Sequence, residues 1–155
     1  MITDTITQKI GEALKAHDEI RLSTLRLLSS ALNYEFIAKQ HKLSEDEELI
    51  VVRKEAKKRK EAIEALRQAQ GKHTSSGGDM SDRIKKEEVE LKILQEYLPP
   101  EISEDEIAKL VDEAMKETGA SKISDMGKVI GLVKAKTKGA ADGAKIAGLV
   151  KSKLI

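Results

Sequence analysis

Three histidines come first, because three imidazoles are enough to hold a catalytic zinc. His17 precedes one helix-patterned stretch and His41 ends it, while His41 and His73 bracket the next. At 1.5 Å per residue those helices hold the rings roughly 35 and 40 Å apart, so the three cannot meet and no metal site is expected. Nucleotide chemistry has no support either. There is no G-x-x-x-x-G-K-[ST] loop and no G-x-G-x-x-G after a strand, and Gly77-Gly78 lie in a stretch that reads as a connector. No G-x-S-x-G surrounds a serine, and Ser29-Ser30 fall in the middle of a helix pattern. The paired carboxylates Glu47-Glu48 and Glu87-Glu88 read as solvated helix faces rather than acid–base pairs. Cysteine is absent, which removes disulfides, thiolate nucleophiles and Cys-based metal sites. No catalytic residue and no cofactor is expected.

Cations are the remaining chemistry. Arg53-Lys54-Glu55-Ala56-Lys57-Lys58-Arg59-Lys60 places six of them in eight residues of a helix. Glu61 four residues from Lys57 and Glu64 four from Lys60 favour a solvated, self-paired face over a polyanion contact. The second set is terminal: Lys128, Lys134, Lys136, Lys138, Lys145, Lys151 and Lys153, with few acids around it. The net charge of +1 conceals this asymmetry, since residues 101–117 carry seven acids and two bases and residues 118–155 carry eight lysines and two acids. Such a basic segment suits a partner rich in phosphates. Within it Gly127 and Gly131 lie four residues apart on a helix pattern, where each costs about 1 kcal/mol relative to alanine. Two compensations are open: close packing of another helix, or a bare stripe along which an RNA backbone can approach.

The elements that must position these residues are helices with readable ends. A weak first helix covers 4–16, and Asp18 is the N-cap of a second that reaches about His41 with Leu25, Leu28, Leu32 and Phe36 inside. Ser44 and Glu47 form a capping box for a third helix with Leu49, Val52, Ala56, Ile63 and Leu66 on one stripe, Arg59 standing where a further apolar residue belongs. Residues 71–81, rich in Gly and Ser, read as a flexible connector. A fourth helix, 82–97, turns Ile84, Leu91, Leu94 and Leu98 inward until Pro99-Pro100 stop it. Ser103 and Glu106 then form a second capping box, opening a helix with Ile107, Leu110, Val111, Ala114 and Met115 inside and Gly119 as its stop. A sixth helix spans about 125–137 around Met126, Val129, Ile130 and Val133. Gly139 ends it, and Asp142 caps a seventh that buries Ile146, Leu149, Val150 and Leu154. No tandem repeat is read from the chain.

Composition agrees with this reading. Among 155 residues 39% are apolar and 35% charged, with Tyr34, Phe36 and Tyr97 the sole aromatics. That is the bias of exposed helices rather than of a β-sandwich or barrel. No apolar run approaches the roughly 18–20 residues of a membrane span, and no charged-then-apolar leader opens the chain. The expectation is an all-α, soluble, cytoplasmic protein with no membrane partner. Four helices form an N-terminal region at 1–98, and a small three-helix bundle follows at 99–155.

Several of these stretches carry a resemblance. Tyr97-Leu98-Pro99, Ser124-Asp125-Met126-Gly127-Lys128-Val129-Ile130-Gly131, Lys138-Gly139-Ala140-Ala141-Asp142-Gly143 and Leu149-Val150-Lys151 resemble the GatB/YqeY family. So do Leu25-Arg26-Leu27-Leu28 and Lys57-Lys58-Arg59-Lys60-Glu61-Ala62-Ile63. The likeness spans nearly the whole chain, as in the stand-alone YqeY-like proteins, and Ala140 stands where family members usually carry Arg. It implies a link to transfer RNA, because the similar tail of the B subunit of aspartyl/glutamyl-tRNA amidotransferase helps that enzyme hold its tRNA. The catalytic regions of that glutamine-dependent carbon–nitrogen ligase have no counterpart among these residues, so only the binding role transfers.

The resulting expectation is a non-catalytic tRNA-associated protein. Gly127, Lys128, Gly131, Lys134, Lys138 and Lys145 make the RNA-binding surface, and Asp142 acts structurally by capping the helix that carries Lys145. With no aromatic to stack on a base and no Arg for a bidentate base contact, this segment is not expected to read sequence. Two other readings stand beside it: an accessory or catalytic component of an aminoacyl-tRNA amidotransferase or another translation assembly, and a helical protein–protein adaptor.

Overall fold

The computed structural model describes residues 1–70 and 77–154, the side chains of 77–79 excepted. Among the described residues the chain is all-α, with seven helices and no strand. It divides into two compact units, Met1–Leu98 and Pro99–Ile155.

In the first unit lie α1 (Ile2–Lys15), α2 (Glu19–Lys39), α3 (Glu45–Gln70) and α4 (Gly77–Gln95). Local chemistry sets their ends. Asp18 accepts from the Arg21 backbone N–H at 3.0 Å at the start of α2. Ser44 and Glu47 close the capping box reciprocally at 2.8 and 3.3 Å, and Lys39 donates to Glu47 at 2.7 Å. That hydrogen bond, ahead of the one from Ser44, holds the Glu47 carboxyl down at about 2. Gln40 ends α2 in the left-handed region at φ 58°.

Leu25, Leu28 and Leu32 are buried against Ile6, Ala13, Ile93 and Leu94. Phe36, expected on the same stripe, is instead 47% exposed. At 21 residues α2 outruns the 14-residue α1, so its last turns lose the cover the stripe needs. On α3 the inner face includes Val51 and Val52, with Leu49 and Leu66 half-buried. Of the connector expected at 71–81, residues 71–76 lie outside the described residues, and 77–81 belong to α4 instead, because half-buried Met80 sits one turn before Ile84 and extends its apolar stripe.

Two charged residues hold this unit together from inside. Glu48, read as solvated, is 1% exposed. It accepts from the backbone N–H of Ile2 at 2.6 Å and of Thr3 at 3.2 Å, and from the Thr3 hydroxyl. A carboxylate from α3 thus serves as the N-terminal anion of α1, whose own N-cap, Met1, has no side-chain hydrogen bond to offer. Arg59 meets α4: its Nε lies 2.6 Å from Glu90 Oε2 and 3.5 Å from Glu87 Oε2. Neither Arg59 Nε nor Glu87 Oε2 finds an aligned hydrogen bond, so this attraction is coulombic. Glu48→Gln should lower the unfolding free energy by about 2 kcal/mol, since the α1 amides lose a charged acceptor and a buried NH2 gains no partner. A denaturant midpoint unchanged from the parent would show that α1 does not depend on this carboxylate.

The second unit contains α5 (Glu104–Thr118), a short 3-10 turn (Ile123–Asp125), α6 (Met126–Lys136) and α7 (Gly143–Lys153). Ser103 and Glu106 cap α5 reciprocally, and Gly119 ends it at φ 64°, where a side chain would be strained. Its core is Ile107, Val111 and Ala114 from α5, Val129 and Val133 from α6, and Ile146 and Val150 from α7, with Ala141 and Leu154. Because this core is drawn from the unit's own helices, a fragment covering 100–155 should show a helical circular dichroism spectrum and a cooperative, shallow melt. A fragment that stays unfolded would show that it depends on residues 1–98.

Candidate nucleic-acid interface

The six residues expected to contact RNA all fall in α6, α7 and the turn between them. On α6, Lys128, Gly131 and Lys134 follow one another at three-residue steps, about 4.5 Å of rise and 60° of rotation each. Gly127 lies within the same arc. All four are exposed, on the side opposite Val129 and Val133, which are 0% exposed. A Cβ built at Gly127 or at Gly131 would meet nothing within 4 Å. Close helix packing is therefore not what these glycines serve within the unit; they open a bare stripe to solvent.

The turn after α6 is held by Lys138 and Gly139 at φ 49° and 74°. Asp142 accepts from the Ala144 backbone N–H at 2.9 Å and so starts α7, which puts exposed Lys145 in its first turn. The end of the Lys134 side chain folds toward the start of α7, its Cε 3.2 Å from where a Cβ of Gly143 would stand. The partial positive charge of a helix N-terminus gives an ammonium no hold there.

Six of the terminal lysines, those on α6 and α7, divide into two classes. Lys136 donates to Glu117 at 2.5 Å and lies 3.8 Å from Glu113, and the hydrogen bond to Glu117 raises its pKa. Lys153 donates to Asp112 at 2.6 Å and to the Ala108 carbonyl at 3.4 Å. Both are spent on the acids of α5. Lys128, Lys134, Lys145 and Lys151 have no such pair among the described residues. The basic stretch of α3 is different in kind: Lys58 pairs with Glu55 at 2.6 Å, Lys57 with Glu61 at 3.8 Å, and Arg59 with Glu90. Burial lowers the pKa of Arg53.

The remaining chemistry-bearing residues do not converge. His17 and His41 sit beyond opposite ends of α2, His73 lies outside the described residues, and no group of His, Asp and Glu among the described residues is placed to hold a metal. A groove of about 400 Å³ between α3 and α4 is lined by Lys60, Ile63, Glu64, Arg67, Glu88 and Leu91, and Arg67 already meets Glu88 there at 2.6 Å.

The sequence profile of the Yqey-like protein family matches residues 3–154. The chain belongs to the YqeY-like family. Among curated proteins no match is found. Two of the segments that carried the resemblance, 124–131 and 138–143, lie at the start of α6 and in the turn into α7 of this YqeY-like chain. No helix of the described residues is long and apolar enough to cross a membrane.

One feature of this surface escaped the sequence reading. Aligned on their helix starts, α6 and α7 are the same element written twice. Asp125–Thr137 and Asp142–Leu154 are offset by 17 residues, and both helices are 11 residues long. Lys128, Gly131, Leu132, Val133, Lys134 and Lys136 recur as Lys145, Gly148, Leu149, Val150, Lys151 and Lys153. The signal was present in K-V-I-G-L-V-K-A-K against K-I-A-G-L-V-K-S-K, but a repeat this short stands out only once both helices have their ends.

Proposed function

We propose that this protein is a non-catalytic RNA-associated helical protein whose C-terminal unit grips the phosphate backbone of transfer RNA. In this reading the chain has two parts, a four-helix N-terminal region and a three-helix tail, and the tail is the contact surface. The observation that carries it is the class of unpaired, exposed lysines on α6 and α7, set beside glycines whose Cβ positions are empty. Membership of the YqeY-like family, together with the resemblance of the tail to that of a tRNA-handling subunit, supports tRNA as the polyanion.

Fluorescence anisotropy with labelled total tRNA, run across a salt series, tests this. Four phosphate contacts give a log–log salt slope of about −3.5, so tripling the salt weakens binding roughly 45-fold. A protein that fails to bind tRNA at low salt, or binds with a slope near zero, would sink the reading. Amide formation on Glu-tRNA by the purified protein with glutamine and ATP would replace it with an enzymatic one.

A protein–protein adaptor is the second reading, favoured by one observation. Leu27, Tyr34 and Ile37 follow one face of α2 and are 52%, 76% and 70% exposed. Light scattering after size-exclusion chromatography tests self-docking: a salt-resistant oligomer supports docking through apolar faces, and a monomer at micromolar concentration excludes a second copy as the occupant of this face.

A further inference from the structure

We infer that α7 carries a second phosphate-contacting face equivalent to that of α6, built from Lys145, Gly148 and Lys151, so that the C-terminal unit engages the RNA backbone through two like elements. The inference rests on the reading above and adds to it a second contact element, including two residues outside the expected set, Gly148 and Lys151.

The repeat is matched position by position in its surroundings. Val129 and Ile146 are each 0% exposed, as are Val133 and Val150. Leu132 and Leu149 are half-buried. Lys136 and Lys153 both reach back to acids of α5, at 2.5 and 2.6 Å. Packing against α5 accounts for all of these, because each helix needs an apolar pair one turn apart and a cation in its last turn to meet acidic residues. It does not account for what recurs on the other side. Lys128, Gly131 and Lys134, and likewise Lys145, Gly148 and Lys151, are all exposed. Neither glycine has a neighbour within 4 Å of its Cβ position, and the four lysines have no ion pair among the described residues. An exposed lysine–glycine–lysine stripe, kept twice where glycine weakens the helix, is suited to a ligand from outside the unit.

The chemistry of that ligand follows from what the unit lacks. Residues 99–155 contain no Arg, Asn, Gln, His or aromatic residue, so they hold no ring or guanidinium plane to stack on bases and none of the planar Arg, Asn and Gln groups that bond base edges in bidentate fashion. Lysine ammoniums bind phosphates as point charges, and each stripe spans about 9 Å between its lysines. Two such stripes suit the two sugar–phosphate strands of an A-form helix, which proteins recognise by shape and backbone.

The test uses the full chain and a 20-base-pair RNA duplex of mixed sequence as probe. Neutralising one stripe, Lys128→Gln with Lys134→Gln, should lower the magnitude of the salt slope by about 1.8 and weaken binding roughly 60-fold at 0.1 M salt. Lys145→Gln with Lys151→Gln should do the same. Gly148→Ala and Gly131→Ala give an independent arm: each should raise the melting temperature, since alanine is the better helix former and the site is open, while weakening duplex binding by similar factors. If the α6 pair lowers the slope, and the α7 pair and Gly148→Ala leave binding unchanged, the equivalence is overturned and tRNA contact through α6 stands. A parent chain that binds no RNA overturns both. Stronger binding to a single strand of the same length overturns the two-strand assignment alone.

Discussion

Replacing Arg59 with leucine is expected to destabilise the N-terminal unit by roughly 3–5 kcal/mol. Glu90 is 6% exposed, and its carboxylate lies 2.6 Å from Arg59 Nε. Removing the guanidinium leaves that charge in the α3–α4 interface with half-exposed Glu87 as a second, repelling carboxylate. Urea melts at pH 7 measure the loss. Arg59→Leu combined with Glu90→Leu should recover most of the stability, because an apolar pair fills the same interface without desolvating ions. A single variant as stable as the parent at pH 7 would show that the pair contributes nothing.

The other large effect is on affinity. On the proposed function, Lys128→Glu with Lys134→Glu would remove two phosphate contacts and add two repulsive charges on the open stripe of α6. Binding to tRNA should fall by about two to three orders of magnitude at 0.1 M salt, and the salt slope should lose about two. All RNAs should weaken alike, since residues 99–155 carry no aromatic, Arg, Asn or Gln side chain. The melting temperature should stay within a few degrees, because both lysines are exposed and neither has an ion pair among the described residues to lose. Lys57→Glu with Lys58→Glu is the matched control on α3. It breaks the pairs with Glu61 and Glu55, adds the same charge, and should reduce binding far less. A control that abolishes binding, beside a tail pair that does nothing, would move the contact surface to α3.

The features that sequence alone determined are those whose physics is local. Asp18, Ser44 with Glu47, Ser103 with Glu106, Gly119 and Asp142 each act on backbone groups within a few residues, so residue type and spacing suffice to place a helix end. The same holds for apolar stripes at three- and four-residue steps, and for the unequal charge of 101–117 against 118–155. Tertiary structure alone decided what depends on residues far apart in the chain. Glu47 and Glu48 look alike in sequence, yet one caps its own helix in solvent and the other is buried under the first turn of α1, 46 residues away. Phe36 fits its stripe as well as Leu32 does, but α1 is too short to cover it. Arg59 breaks an apolar pattern until Glu87 and Glu90 come to face it from α4. Among the lysines of α6 and α7, identical side chains part into those spent on α5 and those with no ion pair among the described residues. Spacing along one helix does not carry that distinction: it is set by which acids the packing of α5 against α6 and α7 brings within reach of each ammonium.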